Sequence, residues 1–193
     1  MSLDAQRQEL QRFNFQIVKD EPETLIALRQ KWYWDCLLTK ITSVVFVRQV
    51  QDLTLDMIES DRTQLEADAK QLNPSLLPRG FQAGVSVITI YIAERIEFEA
   101  QTRLKSKPKI RFAWFYLPAA LEQSTGKLCY LKETPIWGFI YFSKFRYLIR
   151  RLLQPSDTPI EEPPSIAGIV LSVILGGYLL LMLVGILALV LGV

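Results

Sequence analysis

The last stretch of the chain, residues 166–193, contains no charged side chain and is almost entirely apolar. All charged residues, 22 basic and 20 acidic, lie within residues 1–162. As one α-helix the apolar stretch would be about 42 Å long, against a bilayer hydrocarbon core of roughly 30 Å. The alternative, a helix buried in a protein core, is rarely this long without a charge. We therefore predict one membrane-spanning helix over 166–193, with the rest of the chain folding on one side of the bilayer.

Basic residues next to this stretch predict which side that is. Arg146, Arg150 and Arg151 lie within about 20 residues of the span, where positive charge favours the cytoplasmic side. No charged residue follows the span, and residues 1–7 lack the apolar core of a secretory signal. We expect a single-pass, tail-anchored protein with its N-terminal domain in the cytoplasm, at the plasma membrane or an internal one.

The part before the span divides by composition into a domain and a spacer. Residues 154–165 contain four prolines, which favour extended polyproline II structure. We expect a semi-rigid spacer of up to ~35 Å between the domain and the bilayer. The predicted organisation is a cytoplasmic α/β domain over 1–153, a Pro-rich spacer over 154–165 and a transmembrane anchor over 166–193.

Hydrophobic periodicity in the domain alternates between strands and helices, while residues 24–39 fit either type. This order favours an α/β or α+β fold with a small mixed sheet of about four strands packed with helices. The predicted strands are 41–50, 84–93, 110–117 and 128–131. The predicted helices are 3–18, 55–72, 97–104 and 136–154.

The helix at 136–154 has two different faces. Its aromatic and aliphatic side chains fill one arc, and Lys144, Arg146, Arg150 and Arg151 fall on the opposite side. We expect the apolar arc to pack under the sheet and the four cations to face solvent near the spacer. There they would bind the membrane surface or a protein partner. In the alternative arrangement, the helix lies in the membrane interface with its aromatic face in lipid.

Three small residues recur every fourth position in the apolar stretch: Gly168, Ser172 and Gly176. This spacing places them on one helix face, where they would allow a second transmembrane helix to approach closely. The expected partners are therefore the lipid bilayer and either another membrane protein or a second copy of this chain. Glycine is also common in passive anchors, so a plain anchor is the alternative.

Most catalytic chemistry lacks its usual residues. The chain has no histidine, and its two cysteines, Cys36 and Cys129, lie in apolar surroundings. We predict no metal site and no cofactor. The basic run from Arg103 to Arg111 leads into aromatic residues, but it fits a solvated loop before a core strand better than a nucleic-acid surface. No nucleic-acid partner is expected.

Two functions fit these features. The first is a non-enzymatic interaction or assembly module held at the membrane surface. The second is a membrane-tethered hydrolase or nuclease-like enzyme that uses carboxylates, with Glu94, Glu97 and Asp35 as candidates. An enzyme should have a concave pocket containing Glu94 or Asp35, whereas an interaction module should expose an apolar or aromatic patch.

Overall fold

One mixed β-sheet of six strands forms the centre of the molecule, with helices on both faces. This confirms the mixed α/β class, but the prediction of about four strands was too low. The computed structural model describes residues 3–33, 39–71, 83–108, 111, 113–135, 139–156, 158–159, 161–164 and 166–191.

The strands lie in the sheet in the order in which they occur along the chain. The pairs β3–β4 and β4–β5 are parallel, and the other three neighbouring pairs are antiparallel. The strands are β1 (Gln16–Glu21), β2 (Thr24–Tyr33), β3 (Thr39–Leu53), β4 (Ala83–Ile96), β5 (Trp114–Glu122) and β6 (Lys127–Cys129). The helices are α1 (Asp4–Arg12), α2 (Leu55–Gln71), α3 (Phe98–Lys105), α4 (Phe139–Leu153) and α5 (Ile166–Leu191).

Each face of the sheet is covered by its own pair of helices. The two helices that connect the parallel strands, α2 and α3, pack on one face, where Phe46 and Tyr91 are fully buried. Helices α1 and α4 pack on the other face, where Ile88 and Ile90 are fully buried. The central strand β4 is therefore apolar on both sides, which is typical of a parallel strand between two helical layers.

The two additional strands lie before β3. β1 begins within the predicted N-terminal helix, which is shorter than its composition suggested, and β2 lies in the stretch left open between helix and strand. The predicted helix over 3–18 ends at Arg12, and Asn14 adopts the left-handed conformation with φ of 59°, which breaks the helix. The chain then enters β1 and turns at Pro22 into β2. Leu25 and Ala27 are fully buried, with the period of two expected of a strand, which resolves the ambiguity over 24–39 for the part described.

The apolar arc of α4 packs against the sheet as predicted. Phe142 and Phe145 contact Phe115 of β5 with ring centroids 6.1 and 5.3 Å apart, and all three side chains are buried. Leu148 and Leu152 continue the same buried row. The aromatic face therefore lies in the protein core, and the alternative placement of this face in lipid is wrong.

Helix α5 differs from the other helices in its surroundings. Its large apolar side chains between Ile169 and Leu183 are 51–73% exposed where they are described. Within the part of the chain that the structure describes, no helix is long and apolar enough to cross a bilayer. In α5 the described side chains extend no further than Leu183.

The aromatic contact between α4 and the sheet can be tested by truncating Phe142, which is 1% exposed. We expect Phe142→Ala to lower the free energy of unfolding by about 3–5 kcal/mol, because it leaves a cavity among the neighbouring rings. Phe98→Ala is the matched control, since Phe98 is 81% exposed and its loss should cost no more than about 0.5 kcal/mol. Urea unfolding of both variants measures the difference, and equal losses would contradict this packing.

Candidate functional site: a cationic layer under the Pro-rich segment

The Pro-rich segment lies on the domain instead of extending away from it. We call its described residues, 154–156, 158–159 and 161–164, the docked segment. The backbone carbonyl of Ser156 accepts hydrogen bonds from Arg12 (2.6 Å) and Arg151 (2.5 Å). The carbonyl of Thr158 accepts from the same two side chains, each at 3.0 Å. Two arginines from opposite ends of the domain sequence thus hold one stretch of the expected spacer.

A buried ion pair positions one of these arginines. Arg151 of α4 donates to both carboxylate oxygens of Glu9 in α1, at 2.9 and 3.0 Å. The side chains are 8% and 3% exposed, so water screens this pair little. Hydrogen bonding to Glu9 is the main reason why the pKa of Arg151 is raised, and the guanidinium stays charged. Glu9 also pairs with Arg12 at 2.8 Å, which brings both arginines to the docked segment.

A second group of cations holds the far end of the docked segment. The Oε1 atom of Glu162 accepts from Arg29 (3.2 Å) and Lys31 (2.9 Å), both in β2. The ammonium of Lys144 donates to the Pro163 carbonyl at 3.0 Å and lies 5.2 Å from the centre of the Tyr33 ring. These contacts fix the chain immediately before α5, which begins beside α4.

The four cations predicted for the polar face of α4 therefore have different surroundings. Lys144 and Arg151 are buried under the docked segment, so the expectation that they face solvent was wrong. Arg146 donates to the Lys132 carbonyl and the Thr134 hydroxyl, at 2.6 and 2.8 Å, and Arg150 is exposed. The helical projection could not show that a later part of the chain packs on these side chains.

Sequence reasoning missed Arg12 and Arg29 as members of this layer. Arg29 is the informative one, because it is a charged residue inside a strand whose neighbours Leu25 and Ala27 are buried. Its side chain is 9% exposed and donates to the Phe13 carbonyl (3.0 Å) and the Tyr33 hydroxyl (2.9 Å). A buried charge in a strand usually needs a charged or polar partner, and this was the signal available in the sequence.

The candidate catalytic carboxylates were expected to meet in a pocket. Glu94 does line an open cavity of about 690 Å³, near the carboxyl ends of β3 and β4, together with Glu23. Gln49, Gln51 and Gln123 supply amide groups to the same cavity. Both carboxylates are exposed to solvent. Neither lies in the kind of buried environment in which a catalytic carboxylic acid is often found.

The other two candidates do not join Glu94 in the described cavity. Glu97 is exposed at the start of α3 and does not line it, and Asp35 lies outside the described residues. Within the described part of the sheet, the helices connecting β3 to β4 and β4 to β5 pack on the same face. That arrangement provides no reversal of strand order, where open α/β sheets usually bind ligands.

The remaining polar candidates are consistent with structural roles. Cys129 is fully buried, and burial raises the pKa of its thiol, which keeps it protonated. Cys36 lies outside the described residues. Among the residues described, no group of three or more Cys, Asp or Glu side chains is placed to hold a metal ion.

Cations of the basic run before β5 are paired with acidic residues of the domain. Arg103 pairs with Glu59, and Lys107 lies 3.0 Å from Glu133. Arg111 pairs with Glu66 of α2. Arg103 lies within α3, whereas Lys107 and Arg111 lie in the connection between α3 and β5.

No family model matches this chain, and no curated protein gives a significant match. Its function has to follow from the contacts, charges and cavities described above.

The buried pair can be tested by neutralising one partner. We expect Glu9→Gln to lower the free energy of unfolding by about 3 kcal/mol, because it leaves the buried Arg151 charge without its counterion. Glu161→Gln removes the same charge from an exposed position in the docked segment and should cost no more than about 0.5 kcal/mol. Chemical denaturation measures both losses. A Glu9→Gln protein as stable as the Glu161→Gln protein would show that the pair contributes nothing.

Proposed function

We propose that this chain is a membrane-anchored protein whose α/β domain acts as a non-enzymatic interaction or assembly module at the cytoplasmic membrane surface. The observation that carries the proposal is the exposure of α5. Its described large apolar side chains are 51–73% exposed, whereas those of α4 facing the sheet are almost fully buried. A helix that is apolar all round needs either a protein core or lipid around it.

The uncharged sequence of the α5 region, more than the side chains described there, supports a single crossing. The helix has 26 residues and no charged side chain, which corresponds to about 39 Å at ~1.5 Å per residue. A bilayer core of roughly 30 Å would accommodate it with some tilt. The nearest charged residues, Glu161 and Glu162, lie just before the helix. In this proposal the docked segment lies at the lipid–water boundary.

The docked segment supports a defined orientation of the domain at the membrane. Lys144 contacts Pro163 and Lys31 contacts Glu162, just before α5. The end of the domain that carries these contacts would therefore lie closest to lipid. That end carries Trp32, which is 44% exposed, and Phe139, which is 42% exposed. Aromatic side chains favour the membrane interface. Together these contacts support a domain held close to the bilayer instead of one on a long flexible tether.

The proposed partners are the bilayer itself and either a membrane protein or a second copy of the chain, bound through α5. A side chain built at Gly176 would meet no atom of this chain within 4 Å. Packing within the chain therefore does not require glycine at position 176, and the proposed role of this small residue is to let another helix approach closely.

The second candidate function is a carboxylate-dependent hydrolase or nuclease-like enzyme. The cavity containing Glu94 and Glu23 favours it. We rank it second because both carboxylates are exposed and neither is paired with a buried acid, base or nucleophile in the described structure. An interaction module was expected to expose an apolar or aromatic patch. In the described part of the domain, the exposed large apolar side chains come from four different elements: Val18, Trp32, Phe98 and Phe139.

Membrane attachment can be tested by placing a charge in the middle of α5. We expect Leu179→Lys to weaken insertion, because a lysine at the centre of a spanning helix costs about 2.5–3.5 kcal/mol. The variant should move from the carbonate-resistant membrane fraction to the soluble or aggregated fraction. Leu179→Ile is the matched control and should stay in the membrane. If the lysine variant remains as resistant to carbonate as the control, α5 does not span.

Association through α5 can be tested by enlarging one glycine. We expect Gly176→Leu to reduce cross-linking of the protein to itself or to its membrane partner, because the added side chain blocks close helix approach. Gly177→Leu makes the same change about 100° away around the helix and should leave cross-linking unchanged. Equal effects of the two substitutions would show that the Gly168, Ser172 and Gly176 face is not an interface.

A further inference from the structure

A cationic cavity of about 530 Å³ opens beside the docked segment, where the end of α1 meets β2. Its polar lining comes from three separate parts of the chain. The cavity is distinct from the one that contains Glu94, and its charge is opposite. The lining polar residues are Arg12, Asn14, Arg29, Gln30, Lys31 and Glu162.

Positive charge exceeds negative charge in this cavity. Arg12, Arg29 and Lys31 contribute three positive charges, and Glu162 contributes one negative charge. The lining therefore has a net charge of about +2 from ordinary side-chain ionisation. An unbalanced group of cations around a cavity attracts an anion with more than one negative charge.

Arg29 is held in place for binding before any ligand arrives. Its guanidinium lies 4.6 Å from the centre of the Phe15 ring, and hydrogen bonds to Phe13 and Tyr33 hold its two terminal nitrogens. Its Nε atom is buried without a hydrogen-bond partner in the described structure. An arginine whose side chain is already fixed loses little conformational entropy when it binds an oxyanion.

The carboxylate of Glu162 occupies one side of this cavity. One of its carboxylate oxygens receives both the Arg29 guanidinium and the Lys31 ammonium, at 3.2 and 2.9 Å. The carboxylate carries a single negative charge, so it neutralises only part of the positive charge around it. A phosphate group supplies more charge and three acceptor oxygens, which suits a guanidinium together with an ammonium.

We propose that this cavity binds a phosphate-bearing ligand, which competes with the Glu162 carboxylate for Arg29 and Lys31. Binding would free the far end of the docked segment from β2, while the Arg12 and Arg151 contacts at Ser156 and Thr158 remain. The phosphate comes either from a soluble phosphate monoester or from a lipid headgroup. The site itself does not depend on whether α5 spans a membrane.

Titration calorimetry with inorganic phosphate tests the site in the detergent-solubilised full chain, whether or not α5 spans a membrane. We expect Glu162→Gln to bind phosphate several-fold more tightly than the unmodified protein, because the competing carboxylate is gone. Glu161→Gln removes the same charge from the neighbouring exposed residue and should leave the affinity unchanged. Equal tightening by both variants, or no phosphate binding even by Glu162→Gln, overturns the proposal.

Removal of the cations gives the opposite prediction. Lys31→Gln should weaken phosphate binding at least several-fold, and its side chain is 42% exposed, so the fold should tolerate the change. Lys19→Gln, in β1 and 49% exposed, is the control for general loss of positive charge. Arg29→Gln should abolish binding if circular dichroism shows that it folds. Equal effects of Lys31→Gln and Lys19→Gln would overturn the site.

Nanodiscs of different lipid composition then identify the source of the phosphate. Phosphatidic acid in the disc should abolish the binding of free phosphate if the headgroup occupies the cavity. Unchanged binding of free phosphate in those discs identifies a soluble ligand. These lipid experiments identify only the source of the phosphate. The site itself is tested by whether the Glu162→Gln variant binds phosphate more tightly than the Glu161→Gln control.

Discussion

The buried pair between Glu9 and Arg151 is the interaction on which the arrangement of the cationic layer under the docked segment depends. It joins the first helix of the domain to the last one. The Glu9 carboxylate also pairs with Arg12, so one carboxylate holds both arginines beside the docked segment. A pair buried this deeply gains little net stability over apolar packing, but it is costly to break once formed. Its value here is geometric, because it determines where the chain leaves the domain and hence where α5 begins.

The central strands and the apolar face of α4 could be predicted because each depends on a local pattern. The alternation or continuity of apolar residues in β3 and β4 reflects burial by two helical layers, and the α4 arc reflects packing on one sheet face. β1 was harder, because the helical composition before it gave no warning that Asn14 would end α1, and β2 lies in a stretch that fitted either type. Arg29 gave one local signal, a charge inside a strand, but the cationic layer as a whole could not be predicted from local patterns. It brings together Arg12, Arg29 and Lys144 from three elements and the docked segment, and such long-range contacts leave no periodic signal.

The two cavities differ in how their charges are arranged. Glu94 and Glu23 lie in an open cavity with solvent around them, among amide groups that neither donate a proton nor neutralise a charge strongly. Arg29 and Lys31 lie beside a partner carboxylate that neutralises them only in part. The first arrangement lacks the burial that catalysis by carboxylates usually requires. The second arrangement matches the proposed binding of an anion, which requires fixed cations and no change in any covalent bond.

The contact between Glu9 and Arg151 also has a consequence for how the chain folds. The two residues are separated by 142 positions, so the contact closes nearly the whole domain into one loop. Closing a long loop has an entropic cost that must be met before the contact contributes any stability. The sheet and its α2 and α3 layer rest on contacts nearer in sequence, so we expect α1 to dock on α4 only after the sheet has formed. Partial opening would then begin at the contact between these two helices while the six-stranded sheet stays folded.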